Sequence, residues 1–442
     1  MKRYGLFFAL GVAFATTPSS AQTLDECLAL ARQHAPAIRV ADADVSRAAH
    51  GIREARAALA PTLRLGASYV QNNEAPKTVF PRPGSAPMVV RVGSAGVLDV
   101  RTDAQLTLYS AGRNGALVRA AEAARSGEVR GREQADADLV LRVSQAFYRV
   151  IAAERLEDAA DDAMTSAEAH RRTSVARVRA GAAPRLDSLQ AHVDLAARTT
   201  AKVRASEAVR LARVELETAI GVALDPARRL VEPGAPPLDT PPDSTSAELA
   251  LKARPELAAY DDAIRENAHR TRAERAARSP LVNLGATAEY VGPNRDDSYW
   301  DLEDPGLKTY KLYAGIGVSV PILDGGLSSA RAGALEASGQ GLLARRQEAE
   351  LEVRREVSRA LSDLRVALTV WQSDSSRVAA AREALRTAEA GYKGGTSTAT
   401  DVRDAEAALA DARAEEALSL MDCWIARASL DHATGATVKK GN

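Results

Sequence analysis

APAIRVADADVSRAAHGIREARAALAPTLRLGASY, residues 35–69, returns as RPELAAYDDAIRENAHRTRAERAARSPLVNLGATAEY at residues 254–290. Pro36 aligns with Pro255, Pro61 with Pro280, and Leu65-Gly66-Ala67 with Leu284-Gly285-Ala286, all at an offset of 219. Farther on the offset is 214, where Gly112 aligns with Gly326, Gly181 with Gly395, Asp187 with Asp401 and Gly221 with Gly435. Three glycines are thus 69 and then 40 residues apart in both halves, a coincidence beyond chance. The change of offset falls between residues 70 and 111, in one variable loop. The chain is a duplication.

The joint between the copies is rich in proline. Pro226, Pro233, Pro236, Pro237, Pro241 and Pro242 mark a linker over residues 226–246. It separates a first repeat, 22–225, from a second, 247–438. Upstream, Lys2 and Arg3 precede an apolar run from Leu6 to Ala15, with Ser19 and Ala21 as small residues at a cleavage site. Residues 1–21 read as a secretory signal peptide, the run being too short for a transmembrane helix. Cysteine does not follow the cleavage site, which argues against a lipid anchor. Beyond residue 21 no apolar stretch is long enough for a membrane-spanning helix, so a mature chain that crosses a membrane does so as β-strands.

Each half reads the same way. Thr23 and Glu26 form a T-x-x-E capping box for a short helix ending at Pro36. A second helix is predicted from about Ala37 to Ala60, and its partner from about Glu256 to Ser279, each stopped by proline. After each proline the apolar period changes from 3.6 to 2. Leu63, Leu65, Ala67 and Tyr69 oppose Arg64, Gly66 and Ser68; Val282, Leu284, Ala286, Ala288 and Tyr290 oppose Asn283, Thr287 and Glu289. After a loop, Leu98, Val100, Ala104, Leu106 and Leu108 oppose Asp99, Arg101, Asp103 and Gln105, while Leu312, Ala314, Ile316, Val318 and Val320 oppose Tyr313, Gly315, Gly317 and Ser319. These are four strands of about ten residues, the length a tilted strand needs to cross a bilayer.

Long helices follow Gly112 and Gly326. Residues 113–183 contain no proline, and about 67 helical residues would reach roughly 100 Å. Val357, Leu361, Leu364, Leu368, Trp371, Val378 and Leu385 form a seam of coiled-coil spacing, matched in the first half by Val143, Phe147 and Val150. Helices of about 36 residues return from Gly181 and from Gly394-Gly395, ending at Gly221 and Gly435.

Composition agrees with this reading. Among 442 residues, Lys+Arg and Asp+Glu balance at 58 each, so no basic excess points to nucleic acid. Aromatics are only 4%, which suits long helices in narrow contact better than a deep globular core. The histidines at 34, 50, 170, 192, 269 and 432 show no i,i+3 or i,i+4 pairing, and no C-x-x-C, P-loop, nucleophile elbow or zincin motif is present. Met88, Met164 and Met421 are too far apart to form a copper or silver cluster. No catalytic residue, metal site or cofactor is expected, and the chain reads as a non-enzyme. Cys27 and Cys423 would meet an oxidising compartment either as a disulfide or as two buried thiols.

Four strands cannot close a barrel, and an open edge in lipid leaves unpaired backbone groups at several kcal/mol each. The hairpins therefore need other copies: two would supply eight strands and three would supply twelve. The duplication, the strand-to-helix junctions and the G-x(5)-D motifs resemble the TolC-type outer-membrane efflux proteins over nearly the whole mature chain. The strongest match is Gly391-Tyr392-Lys393-Gly394-Gly395-Thr396-Ser397-Thr398-Ala399-Thr400-Asp401-Val402-Arg403-Asp404-Ala405, with VPILDGG at Val320–Gly326 also typical. The resemblance implies a mixed α and β fold with four transmembrane β-strands per chain. It implies a homotrimer with a 12-stranded barrel in the outer-membrane lipid and a long coiled-coil helical barrel in the periplasm. It further implies a periplasmic adaptor protein and an inner-membrane pump of the RND or ABC class, for drug efflux or type I secretion.

The same resemblance assigns residues. Asp401 and Asp404 match acids that ring the periplasmic entrance, where their charge favours cations. Without the resemblance, acids in a first helical turn answer the helix dipole. Tyr392 matches a tyrosine that helps hold the entrance closed, and Asp187 an acid close to it. Gly181, Gly394 and Gly395 lie at the turns that adaptor tips contact, besides ending helices. The family often carries arginine two residues after Gly395; here Ser397 stands there, and Arg403 is the candidate replacement. The loops 72–95 and 292–310 would face outside, with Tyr290, Tyr299, Trp300 and Tyr310 at the headgroup level. The competing class is a soluble periplasmic scaffold or adaptor, which the four membrane-length strands disfavour.

Overall fold

The computed structural model describes residues 21–74, 77–91, 95–181, 184–225, 228–293, 309–394, 396–397 and 399–436. In chain order its elements are β1 (Ala21–Gln22), α1 (Leu24–His34), α2 (Pro36–Ala57), β2 (Thr62–Gln71), β3 (Lys77–Phe80), β4 (Met88–Arg91), β5 (Gly96–Tyr109), α3 (Arg113–Arg179) and α4 (Arg185–Ile220). The second half continues with β6 (Arg229–Leu230), α5 (Asp243–Ala253), α6 (Pro255–Ala276), β7 (Leu281–Pro293), β8 (Thr309–Ser319), α7 (Leu327–Gly394) and α8 (Ala399–Ala433). The long helices are 67 and 68 residues and the returning ones 36 and 35, close to the sequence expectation.

The compact units do not coincide with the sequence repeats. One comprises Met1–Ala41, Arg132–Pro255 and Glu350–Asn442; the other Asp42–Gly131 and Glu256–Ala349. Each takes the same portions of both halves, because α3 and α7 each contribute residues to both units.

The second unit holds the sheet. Its order is β2-β5-β7-β8, antiparallel throughout, so the pairing of β5 with β7 joins the two halves and β2 and β8 are the edges. The helices α2 and α6 end at Ala57 and Ala276, a turn short of the expected Ala60 and Ser279, and the period-2 pattern starts directly after Pro61 and Pro280. One expectation fails locally. The register shifts between Thr107 and Tyr109, making Leu108 an extra residue. Tyr109 then pairs with Val282 and takes the face that strict alternation gives to Leu108. Loop 72–95 also contains a small hairpin, β3 with β4.

Both long helices start alike. The Ser110 hydroxyl accepts from the Asn114 N–H at 3.3 Å, and the Asp324 carboxylate accepts from the Ser328 N–H at 3.1 Å. Three helix-end hydrogen bonds hold the Asp324 carboxyl down at about 2: the Ser328 hydroxyl first, then the Ser328 and Gly326 N–H groups. The duplication is equally visible in ion pairs: Arg56 bonds Glu122 at 2.8 Å, and Arg275 bonds Glu336 at 2.8 Å.

The first unit holds the main core. Cys27, Ala31 and Ile38 pack with Leu139, Val143, Phe147, Val150 and Ile151 of α3, Leu216 and Ile220 of α4, and Met421 of α8. The coiled-coil seam is buried at Val357, Leu361, Leu364, Leu368 and Val378, with Val378 joined by Leu409 and Ala412 in a second cluster. The capping box at α1 forms as expected, with Thr23 accepting from the Glu26 N–H at 3.2 Å. The linker is more ordered than its prolines suggest. Gln22 pairs with Leu230 in a short parallel bridge, and Trp424 donates to the Gly234 carbonyl at 3.1 Å. Its end is helical: α5 is the counterpart of α1, capped at Pro242 rather than by a T-x-x-E box, and so lacked the signal that reveals α1.

Candidate functional site

The sheet presents two chemically different faces. Register places Arg64, Asp103, Thr287 and Tyr313 in one cross-strand row, and Gly66, Arg101, Glu289 and Lys311 in the next. Asp103 accepts from the Thr287 hydroxyl at 2.7 Å and from Arg101 Nε at 2.9 Å. Arg101 also reaches the Tyr313 hydroxyl at 3.5 Å, and Lys311 lies 3.9 Å from Glu289. Charges alternate along and across these two rows, so Asp103 and Glu289 each lie beside an opposite charge. The sequence separated the two faces, but only the register reveals these pairs.

The other face is apolar. Its rows include Leu65, Thr102, Ala288 and Leu312, then Ala67, Val100, Tyr290 and Tyr310. The Tyr290 and Tyr310 rings lie 4.9 Å apart near the strand ends. Tyr299, Trp300 and most of the acidic loop lie outside the described residues. On the edge strands the apolar side chains are bare: Leu65 is 75% exposed and Leu312 84% exposed. A patch of this kind marks a surface that meets something other than water.

The helix-tip residues all lie in the first unit. Asp187 is exposed in the first turn of α4, its N–H bonded to the Pro184 carbonyl at 3.1 Å. Asp401 and Asp404 are exposed at the start of α8, three residues apart and so neighbours on its surface. Arg403 stands 3.8 Å from Asp404 on the same helix. Tyr392 and Gly394 belong to the last turn of α7, and Gly395 lies outside the described residues. Gly181 follows α3 with φ of 72°, the left-handed conformation that ends a helix.

The sequence reading missed Gly391. Its carbonyl accepts from the Thr396 N–H at 2.8 Å and from the Ser397 N–H at 3.2 Å, closing the end of α7. A Cβ on Gly391 would collide with the Ser397 hydroxyl. Ser397 is therefore folded onto the turn. A glycine before the obvious Gly394-Gly395 pair is the only signal that pointed to it.

Cys27 and Cys423 are free thiols, both fully buried, so the disulfide considered from sequence is not made. Burial pushes each thiol up to about 11, with Glu26 adding to the effect at Cys27 and Asp422 at Cys423. Among the described residues no cluster of His, Cys, Asp or Glu could hold a metal ion, and no helix is long and apolar enough to cross a membrane.

The fold has relatives among solved structures. The Campylobacter jejuni CmeC outer membrane channel aligns with TM-score 0.75 and 16% identity, over 95% of this chain and 88% of that one. The outer membrane protein VceC of Vibrio cholerae aligns with TM-score 0.72 and 20% identity, over 93% and 96%. The open state of the Neisseria gonorrhoeae MtrE outer membrane channel aligns with TM-score 0.70 and 20% identity, over 93% and 88%. At these identities the likeness is one of fold. No curated protein is similar to the chain in sequence. The family model for outer membrane efflux proteins matches twice, at residues 27–222 and 247–436, once on each copy of the duplication. This chain belongs to the outer membrane efflux protein family.

Proposed function

We propose that the protein is the outer-membrane exit channel of a tripartite efflux or type I secretion system. Three copies pair their sheets, β8 of one with β2 of the next, into a 12-stranded barrel. The helices continue into the periplasm, where an adaptor and an inner-membrane RND or ABC pump deliver the substrate.

The observation that carries this reading is the four-stranded sheet, with one charged face, one apolar face and two unpaired edges. Strands of 10 to 14 residues suffice for a tilted crossing. Lipid takes the face of Leu65 and Leu312, and water fills the side lined by Arg101, Asp103 and Lys311. Closure satisfies the edge N–H and C=O groups, each of which would otherwise cost several kcal/mol in hydrocarbon.

The helix tips form a gate. Three copies of Asp401 and Asp404 ring the entrance, where paired carboxylates attract and retain multivalent cations. Tyr392 and Asp187 hold the closed state, and Arg403 supplies the charge that Ser397 does not. Gly181, Gly394 and Gly395 shape the turns that the adaptor grips. A free open pore would breach the outer membrane, so opening depends on the partners.

Light scattering and negative-stain images of detergent-extracted protein test the proposal. A trimer from the membrane fraction, with a rod of roughly 100 Å leaving a short barrel, is the expected result. Release by osmotic shock as a detergent-free monomer would instead make the chain a soluble periplasmic scaffold.

A further inference from the structure

The two halves differ sharply at one equivalent place. Ala35 and Arg254 each precede the proline that opens α2 or α6. In the second half Arg254 is only 5% exposed. Its Nε donates to the Ala433 carbonyl at 2.9 Å, and its guanidinium pairs with Glu356. The arginine therefore fills the crevice between the α5–α6 junction and helices α7 and α8.

In the first half the corresponding crevice is open. A cavity of about 470 Å³ is lined by Ala35, Leu139, Arg142, Ala146, Arg149 and Glu215, among others. Two lining residues, Ala219 and Arg142, matter for the comparison. Ala219 is the counterpart of Ala433, and Arg142 is the counterpart of Glu356, each at the 214-residue offset. The buried cation has become a methyl, and the carboxylate that held it has become an arginine.

The charge of the crevice is thereby reversed. Arg142 and Arg149 face one acid, Glu215, which lies 4.0 Å from Arg149. Among the described residues Arg142 has neither a hydrogen bond nor an ion pair of its own. Its field reaches Asp138 one turn away, whose carboxyl is lowered first by the hydrogen bond from His432 and only last by Arg142. An exposed guanidinium over an apolar floor can pair with an incoming carboxylate bidentately.

We propose that the first-half crevice is a receptor for a carboxylate side chain on an acidic segment of a partner protein. Arg142 is its ion-pairing residue and Arg149 a second cation at the rim. The partner acid takes the place in the first half that Arg254 takes in the second, with the signs exchanged. This inference stands on the internal comparison and does not depend on the channel reading.

The test is fluorescence anisotropy with detergent-purified full-length protein and a fluorescein-labelled helical peptide of about 15 residues rich in Glu and Ala. The wild type is expected to bind it and to ignore a Lys/Ala peptide of the same length. Arg142→Glu should weaken binding about tenfold or more, the size of one charge-assisted pair. Ala35→Arg combined with Arg142→Glu, which rebuilds the second-half arrangement, should abolish binding. Arg331→Glu, the same charge change on an exposed residue of α7, should leave it unchanged. Because Arg142 is exposed, its substitution does not threaten folding. Absence of binding to the wild type would overturn the proposal and leave a second copy as the cover of the crevice. Equal loss with Arg331→Glu would also overturn it, reducing the effect to net charge.

Discussion

A Cβ placed on Gly221 would fall 2.8 Å from the backbone carbonyl oxygen of His34, and φ at Gly221 is 85°. The end of α4 thus packs directly on the end of α1, with no room for a methyl group. The second half repeats the contact more loosely: a Cβ on Gly435, at φ of 71°, would meet the Ala253 Cβ at 3.0 Å.

Three glycine substitutions should therefore rank. Gly181→Ala meets open space and carries only the left-handed backbone penalty, about 1–2 kcal/mol. Gly221→Ala adds a clash with backbone that cannot rotate away, typically another 1–3 kcal/mol. Gly435→Ala should fall between them. Thermal melts of the detergent-solubilised variants by circular dichroism would check the order. A Gly181→Ala melt lower than that of Gly221→Ala would contradict it.

Capping by Asp324 gives α7 an acid sensitivity that α3 lacks. The carboxyl is held at about 2, against about 3.9 for an unperturbed aspartate, mainly by the Ser328 hydroxyl. A depressed carboxyl stabilises the folded state above its unfolded pKa and loses that contribution as pH falls through the folded value. The loss therefore runs between about pH 4 and pH 2. Ser110, the equivalent cap on α3, does not titrate in this range. Asp324→Asn should lower the melting temperature by a few degrees at neutral pH and have little effect near pH 2. Melts of wild type and variant across that window would reveal it, and an equal difference at both ends would reject it.

Buried thiols should behave as inert. Cys27 and Cys423 are both fully enclosed, and burial raises both to about 11, which suppresses the thiolate that reacts. A maleimide reagent at neutral pH should label neither in the folded protein and both after denaturation. Failure to label in denaturant without reductant would mean that the cysteines are bonded after all.

Much of this fold is written in local pattern. Proline at 61 and 280 and the switch of period behind it locate β2 and β7 within a residue or two, because strand and helix bury side chains at different intervals. Val357, Leu361, Leu364, Leu368 and Val378 of the seam are buried for the same reason. What resisted reading depends on three-dimensional register. The bulge at Leu108 has no composition of its own, and α5 begins at a proline within an apparent linker. The pairing of Thr287 with Asp103 joins residues 184 positions apart. Gly391 was hidden because its role comes from Thr396 and Ser397 folding back on it, not from its neighbours in a helix pattern.

Asp401 and Asp404 provide the sharpest test of the gate. Both are exposed at the N-terminal end of α8, so neither is needed to fill a core. As helix-dipole partners they are worth about 0.3–1 kcal/mol each, a loss that the proposed trimer would tolerate. As members of a ring their effect would be far greater, because six carboxylates in a narrow entrance bind multivalent cations cooperatively. Replacing both with alanine should leave trimers intact on native gels and relieve block by multivalent cations in planar-bilayer recordings. Arg403, 3.8 Å from Asp404, would be left without that partner, shifting the entrance further from cation preference. If block persists unchanged while trimers remain whole, the two acids are helix-end residues and the proposed ring is overturned.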